Sequence, residues 1–151
     1  MMIKIMDLDI LKSPHQYIII QQVNCQGVMG KGVAKQIADR YPFVKKQYTE
    51  FCNGKSPEDL LGNCLLCTSN GYIRKVVCNF SQLNYGYTDV YTDYDAVRKC
   101  FKTISEYFNP EVDTFAIPYK YGCGYGNGDW SKVSSIIAEE LKDYEFIFYR
   151  V

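Results

Sequence analysis

Seven glycines fall in two short stretches: Gly27, Gly30 and Gly32 in "VNCQGVMGKG", and Gly122, Gly124, Gly126 and Gly128 in "GCGYGNG". Residues without a side chain let backbone N–H groups approach a ligand closely. Each stretch runs into a segment with helical spacing, and a helix N-terminus offers unpaired N–H donors and about half a positive charge. Such loops suit an anion, and two of them facing one cleft suit a diphosphate. Tight turns that serve only structure are the competing reading. The familiar phosphate motifs do not fit. Lys31 is followed by Gly32 where a P-loop needs Ser or Thr, and Asn127 occupies the third glycine position of a dinucleotide fingerprint begun at Gly122 and Gly124.

A few other side chains have chemical capacity. Asp129 follows the second loop, where a carboxylate either activates water or caps the next helix. Cys25 and Cys123 lie in the two loops as nucleophiles or as small packing residues. Lys31 either steadies a phosphate or is solvated. His15, the one histidine, follows Pro14 in a turn and is a poor candidate for catalysis. Tyr85, Tyr87 and Tyr91 flank a loop that can cover a ligand, or else face the sheet. Cys64 and Cys67 form a CxxC within a predicted strand, where three-residue spacing sends the side chains to opposite faces, so no metal site and no cofactor are expected.

The elements that must position these groups alternate between strand and helix. "IKIM" (Ile3–Met6) and "YIIIQQV" (Tyr17–Val23) read as strands, the second apolar enough to be buried on both faces. Val33, Ile37 and Tyr41 recur at four-residue spacing on one helix, which Pro42 ends while opening a second helix to about Cys52. "NGKSPEDLLG" reads as a turn-rich crossing. "NCLLCT" and "YIRKVVCNFS" read as a hairpin around Ser69, Asn70 and Gly71. A helix carrying Tyr94, Val97, Phe101, Ile104 and Phe108 opens on a capping box of Thr92 with Asp95 and stops at Pro110. The strand Asp113–Tyr119, a helix with Val133, Ile136, Ile137 and Leu141, and the strand "EFIFYRV" complete the chain. The expectation is one domain over residues 1–151, an α/β sandwich with a mixed sheet between two helical layers and both glycine loops beyond strand carboxyl ends.

Composition bounds the rest. Hydrophobic residues make up 47% and charged residues 23%, and no apolar run approaches the roughly 20 residues of a membrane span. Lys and Arg balance Asp and Glu at 17 each, so no basic field points to non-specific nucleic-acid binding. The opening residues do not read as a secretory signal, and seven scattered cysteines favour free thiols in a reducing compartment. A cytoplasmic monomer is expected.

The two loops resemble the macro domain family, whose members bind ADP-ribose. "VNCQGVMGKGVAKQI" looks like that family's first ligand loop and "IPYKYGCGYGNGDW" like its second, and the order of elements matches from Ile3 to Val151. The branch resembled includes terminal ADP-ribose protein glycohydrolase, DNA de-ADP-ribosylating antitoxins and the fungal ADP-ribose 1″-phosphate phosphatase. The resemblance implies a three-layer α/β/α sandwich with a mixed sheet of about six strands. It also implies ADP-ribose or a related nucleotide as partner, free or on a modified macromolecule.

Carried over by position, Asp9, with Ile10 beside it, matches the aspartate that accepts from the adenine amino group. Asn24 matches the asparagine at the distal ribose; it and Asp129, the latter read from its place after the second loop, are the candidate catalytic residues. Gly30, Lys31, Gly32 and Val33 match the loop around the distal ribose and diphosphate. Gly122, Cys123, Gly124, Tyr125 and Gly126 match the second phosphate loop. The glycohydrolase's lysine position holds Gln82 and its loop aspartate position holds Gly126, while the phosphatase-like histidine position holds Gln21. An amide serves neither as nucleophile nor as general base near neutral pH. Two functions remain open: hydrolysis of an ADP-ribose derivative with water placed by the ligand's diphosphate, Asn24 and the loops, or binding without turnover.

Overall fold

The computed structural model describes residues 3–86, 88–124 and 126–151. Strands β1 (Ile5–Asp7), β2 (Ile18–Asn24), β3 (Cys64–Cys67), β4 (Val76–Gln82), β5 (Thr114–Pro118) and β6 (Glu145–Arg150) are interleaved with helices α1 (Gly32–Arg40), α2 (Pro42–Cys52), α3 (Pro57–Leu60), α4 (Tyr94–Tyr107) and α5 (Trp130–Glu140). They build a six-stranded sheet in the order β1-β6-β5-β2-β4-β3. Only β3 runs antiparallel, against β4. The carboxyl ends of the five parallel strands therefore share one edge, which is where loops after parallel strands can converge on a ligand.

Alternation along β2 divides the core. Ile18 and Ile20 join Val97, Phe101 and Ile104 of α4 and Val133 and Ile137 of α5, whereas Ile19 and Val23 join Ile37 of α1 and Val44 and Tyr48 of α2. The mixed sheet thus lies between two helical layers, as expected. Complete burial of each such aliphatic side chain contributes roughly 1.5–3 kcal/mol, and Ile19, Ile20, Val44, Val97 and Phe101 are all fully buried. Cys64 and Cys67 do face opposite layers. Among the described residues, no group of His, Cys, Asp and Glu is placed to hold a metal ion, and no helix is long and apolar enough to cross a membrane.

Several local expectations need correction. The first strand is Ile5–Asp7, because only these residues register with β6. The β3–β4 hairpin forms, but its connection runs from residue 68 to 75, so β4 starts at Val76 and not at Tyr72. The turn-rich crossing contains α3, opened by Ser56, whose hydroxyl accepts from Asp59 N at 3.1 Å. Asp93, not Thr92, caps α4: its carboxylate accepts from Ala96 N at 2.9 Å. Thr92 is committed elsewhere.

At the opposite edge of the sheet, Arg74 is buried at 2% exposure. Its guanidinium donates to the carbonyls of Ser13, Pro14 and Tyr17, each at 2.9 Å, and to the Tyr41 hydroxyl at 3.2 Å. A planar fork of donors spans acceptors that a single ammonium point charge cannot. One side chain thereby fastens the segment entering β2 to the strand that pairs with it.

Candidate functional site

The first loop leaves β2 at Asn24. The Asn24 side-chain oxygen accepts from Gln26 N at 2.9 Å and its amide donates to the Val28 carbonyl at 2.7 Å, while the Tyr48 hydroxyl donates to the Asn24 carbonyl at 2.7 Å. This is local side-chain competition for backbone groups of the kind that shapes turns. Gly27 (φ 74°) and Gly32 (φ 63°) occupy the left-handed region that ordinary side chains avoid. α1 then begins with Lys31 as N-cap and no side-chain cap bond, so its first-turn N–H groups are left for a ligand or solvent.

The second loop leaves β5 at Pro118. Lys120 and Gly122 take positive φ values of 59° and 73°. The loop leads into α5, but this helix is closed: the Asp129 carboxylate accepts from Ser131 N at 2.9 Å. Asp129, read from the sequence as either a catalytic carboxylate or the helix cap, is the cap and is not among the cleft-lining residues.

Between the loops lies a cleft of about 540 Å³. Of the expected contacts, Asn24, Gly30, Lys31, Gly32, Val33, Gly122, Cys123, Gly124 and Gly126 line it together. Asp9 and Ile10 do not. Asp9 lies on the same sheet edge, beyond β1, and its carboxylate accepts from Leu11 N at 2.9 Å to cap a short 3-10 turn. Tyr125 and Tyr87 lie outside the described residues. Tyr85 lines the cleft, whereas the Tyr91 hydroxyl is packed against Gly86. His15 is exposed in the turn that enters β2, at the far edge. Among the described lining residues are Lys31 and Lys120 but no Asp, Glu or His, a charge balance suited to a polyanion.

The three altered positions are built into the wall. Gln21 is buried, its amide toward Cys78 Sγ at 3.4 Å. Around Gln82 the order of protons can be followed from an unambiguous end. The Gly122 carbonyl can only accept, so Thr92 Oγ1 donates to it at 2.6 Å and must accept from Gln22 Nε2 at 3.0 Å. The second Gln22 amide hydrogen goes to Gln82 Oε1 at 3.0 Å, and Gln82 Nε2 donates to the Asn84 carbonyl at 2.7 Å. Gln22 Oε1 accepts from Ser81 at 2.8 Å, leaving the Tyr121 hydroxyl to donate to Ser81 at 2.7 Å. Gly126 sits against this network: a Cβ there would meet Thr92 Oγ1, the Gly122 carbonyl at 2.7 Å and Gln22 Nε2 at 2.8 Å. The sequence reading missed Gln22, Ser81, Thr92 and Tyr121. Adjacent glutamines closing an otherwise apolar strand were the available signal. Lys120, inside the second loop, was also overlooked.

The loop thiols are quiet. Burial, with lesser repulsion from Cys52, Glu58 and Asp93, pushes Cys25 up from 9.0 to about 12. Burial, with repulsion from Asp129, raises Cys123 to about 11. The thiolate is the reactive form, and a thiol raised this far stays protonated at neutral and mildly alkaline pH. A short iodoacetamide pulse followed by peptide mass mapping should label Cys123 about a hundredfold more slowly than a free cysteine. Labelling at the free rate would show an ionised thiol in the cleft.

Comparison with known proteins agrees with this geometry. A family model described as the macro domain matches residues 20–137. The chain is 28% identical over 170 aligned positions to ADP-ribose 1″-phosphate phosphatase of Saccharomyces cerevisiae (strain YJM789), covering 95% of each. A protein of unknown function from Bacteroides thetaiotaomicron superposes with a TM-score of 0.86 at 24% identity, covering 100% of this chain and 99% of the other. DarTG of Thermosipho africanus, solved in complex with ADP-ribose, superposes at 0.76 with 21% identity over 95% of this chain and 40% of that one. With the family model spanning most of its length, and with two glycine loops opening on one cleft at the carboxyl edge of a mixed sheet, the chain belongs to the macro domain family.

Proposed function

We propose that this macro domain binds the ADP-ribose unit of a free or macromolecule-linked derivative and hydrolyses the bond beyond the distal ribose. The observation that carries the binding is the cleft itself: two glycine-bearing loops, the N-terminus of α1 with no side-chain cap bond, and Lys31 and Lys120 among the lining residues. Support for hydrolysis comes from the phosphatase relative. With Gln82 and Gly126 built into the wall, the water is positioned by the ligand's diphosphate and the loops, without a side-chain base. Absence of a general base costs about 10²- to 10⁴-fold in rate, so turnover is slow. That same wall favours the second reading, a binding module without turnover.

Isothermal titration calorimetry with ADP-ribose, with AMP as control, tests the binding. Gly30 provides a clean variant, because a Cβ there meets nothing within 4 Å and the residue lines the cleft. Gly32 is less suitable, since its φ of 63° adds strain to any substitution. Gly30→Glu should leave Tm unchanged and weaken ADP-ribose binding roughly a hundredfold, by placing a carboxylate against the phosphates. Unchanged affinity would place the ligand elsewhere. Phosphate release from ADP-ribose 1″-phosphate, or release of ADP-ribose from a modified macromolecule, separates turnover from binding alone.

A further inference from the structure

We propose that Thr92 is the positioning residue for the diphosphate, although it is not among the cleft-lining residues. The inference rests on the ADP-ribose reading above. An anion held by a backbone loop needs the loop's carbonyl oxygens, the negative ends of its peptides, turned away from it. Glycine loops can present either orientation, because their peptides rotate with little steric penalty. Something must therefore hold the carbonyls inward.

Thr92 does this at both ends of the second loop. Its hydroxyl donates to the Gly122 carbonyl at 2.6 Å, and its backbone N–H donates to the Gly126 carbonyl at 3.1 Å. Each carbonyl has a second donor, Gly128 N at 2.8 Å for Gly122 and Tyr91 N at 2.8 Å for Gly126. Both oxygens are thereby saturated, and the N–H groups of the same two peptides are bonded within the loop, Cys123 N to the Lys120 carbonyl at 2.8 Å and Asn127 N to the Gly124 carbonyl at 3.1 Å. The anion's donors therefore come from the loop's other peptides, and rotating either of these two would break three hydrogen bonds. Thr92 is 5% exposed, so water does not compete for its hydroxyl. The hydroxyl is aimed in turn by Gln22, which Ser81 and Gln82 hold from both ends of its amide. A second tie, Asn127 Nδ2 to the Asp89 carbonyl at 2.7 Å, joins the same loop to the segment that brings Tyr85 and Gly86 to the cleft. The second loop and the described residues of that segment, 83–86 and 88–91, therefore form one wall.

Thr92→Val keeps the shape and removes the hydroxyl, and Thr92→Ser keeps the hydroxyl. Both are titrated with ADP-ribose by calorimetry and with adenosine by NMR shift perturbation, alongside the wild type and with Tm recorded. The expected result is about a tenfold loss of ADP-ribose affinity for Thr92→Val, unchanged adenosine affinity, and recovery in Thr92→Ser. Equal losses for both ligands would mark general destabilisation, and wild-type affinity in Thr92→Val would remove the positioning role. Either overturns this inference while wild-type binding of ADP-ribose leaves the functional reading in place. A wild-type protein that ignores ADP-ribose overturns both. Should Thr92→Val fail to fold, Gln22→Leu, which removes the group aiming the hydroxyl, is held to the same split between the two ligands.

Discussion

Gly126→Asp should cripple the domain and restore no chemistry. It introduces the carboxylate that the glycohydrolase-like members are expected to carry in this loop, and a design based on resemblance would choose it first. The wall forbids it. A Cβ at position 126 would lie 2.7 Å from the Gly122 carbonyl and 2.8 Å from Gln22 Nε2, in addition to colliding with Thr92 Oγ1. Overpacking and loss of the Thr92–Gln22 bonds together cost about 3 kcal/mol, lowering Tm by roughly 6 to 12 °C. Gly126→Ala should show most of the same loss, because the obstruction is at Cβ. Adding Thr92→Ala should not repair it, since the Gly122 carbonyl is backbone and stays. Thermal melts of the three variants check this, and a stable, active Gly126→Asp protein would show that the wall yields.

Arg74→Met should be the most destabilising single change away from the cleft. Three carbonyls at 2.9 Å and the Tyr41 hydroxyl lose their donor together. The Pro14 carbonyl keeps Tyr17 N at 2.9 Å, and each buried acceptor left unpaired costs about 1–3 kcal/mol before relaxation, giving a net loss of about 3 to 5 kcal/mol. Arg74→Lys should recover little, because an ammonium cannot reach both sides of the fork. In urea melts the midpoint should fall with the slope unchanged, since the unfolded surface is the same. ADP-ribose affinity of the folded protein should not change, because Arg74 secures the sheet edge opposite the loops. A loss below about 1 kcal/mol would mean that water replaces the guanidinium.

Much of this was legible in the sequence where the signal is local. The β-branched run before Asn24, Pro42 at the first position of α2 and the glycines of both loops each act through neighbours a few residues away. The loops' convergence followed from the strand–helix alternation, which places parallel strand ends on one edge. What stayed hidden depends on register. Gln22 and Thr92 are 70 positions apart, and Ser81 and Tyr121 are 40 apart, so their meeting requires knowing that β4 and β5 flank β2. The same long-range bond explains the misread capping box: Thr92 has the right chemistry for a cap, but its hydroxyl is drawn to Gly122, and Asp93 takes the helix. Asp129 was weighed in both roles from sequence, and the Ser131 N–H settles where its carboxylate points.

The two helices that follow the glycine loops differ at their first turns. α1 begins at Lys31 without a side-chain cap bond, and α5 begins with Ser131 N already answered by the Asp129 carboxylate. Only α1 therefore brings a helix first turn to the cleft lining among the described residues. In the function proposed above, the two ends of a bound diphosphate meet different surroundings, a helix N-terminus at one loop and turn backbone at the other.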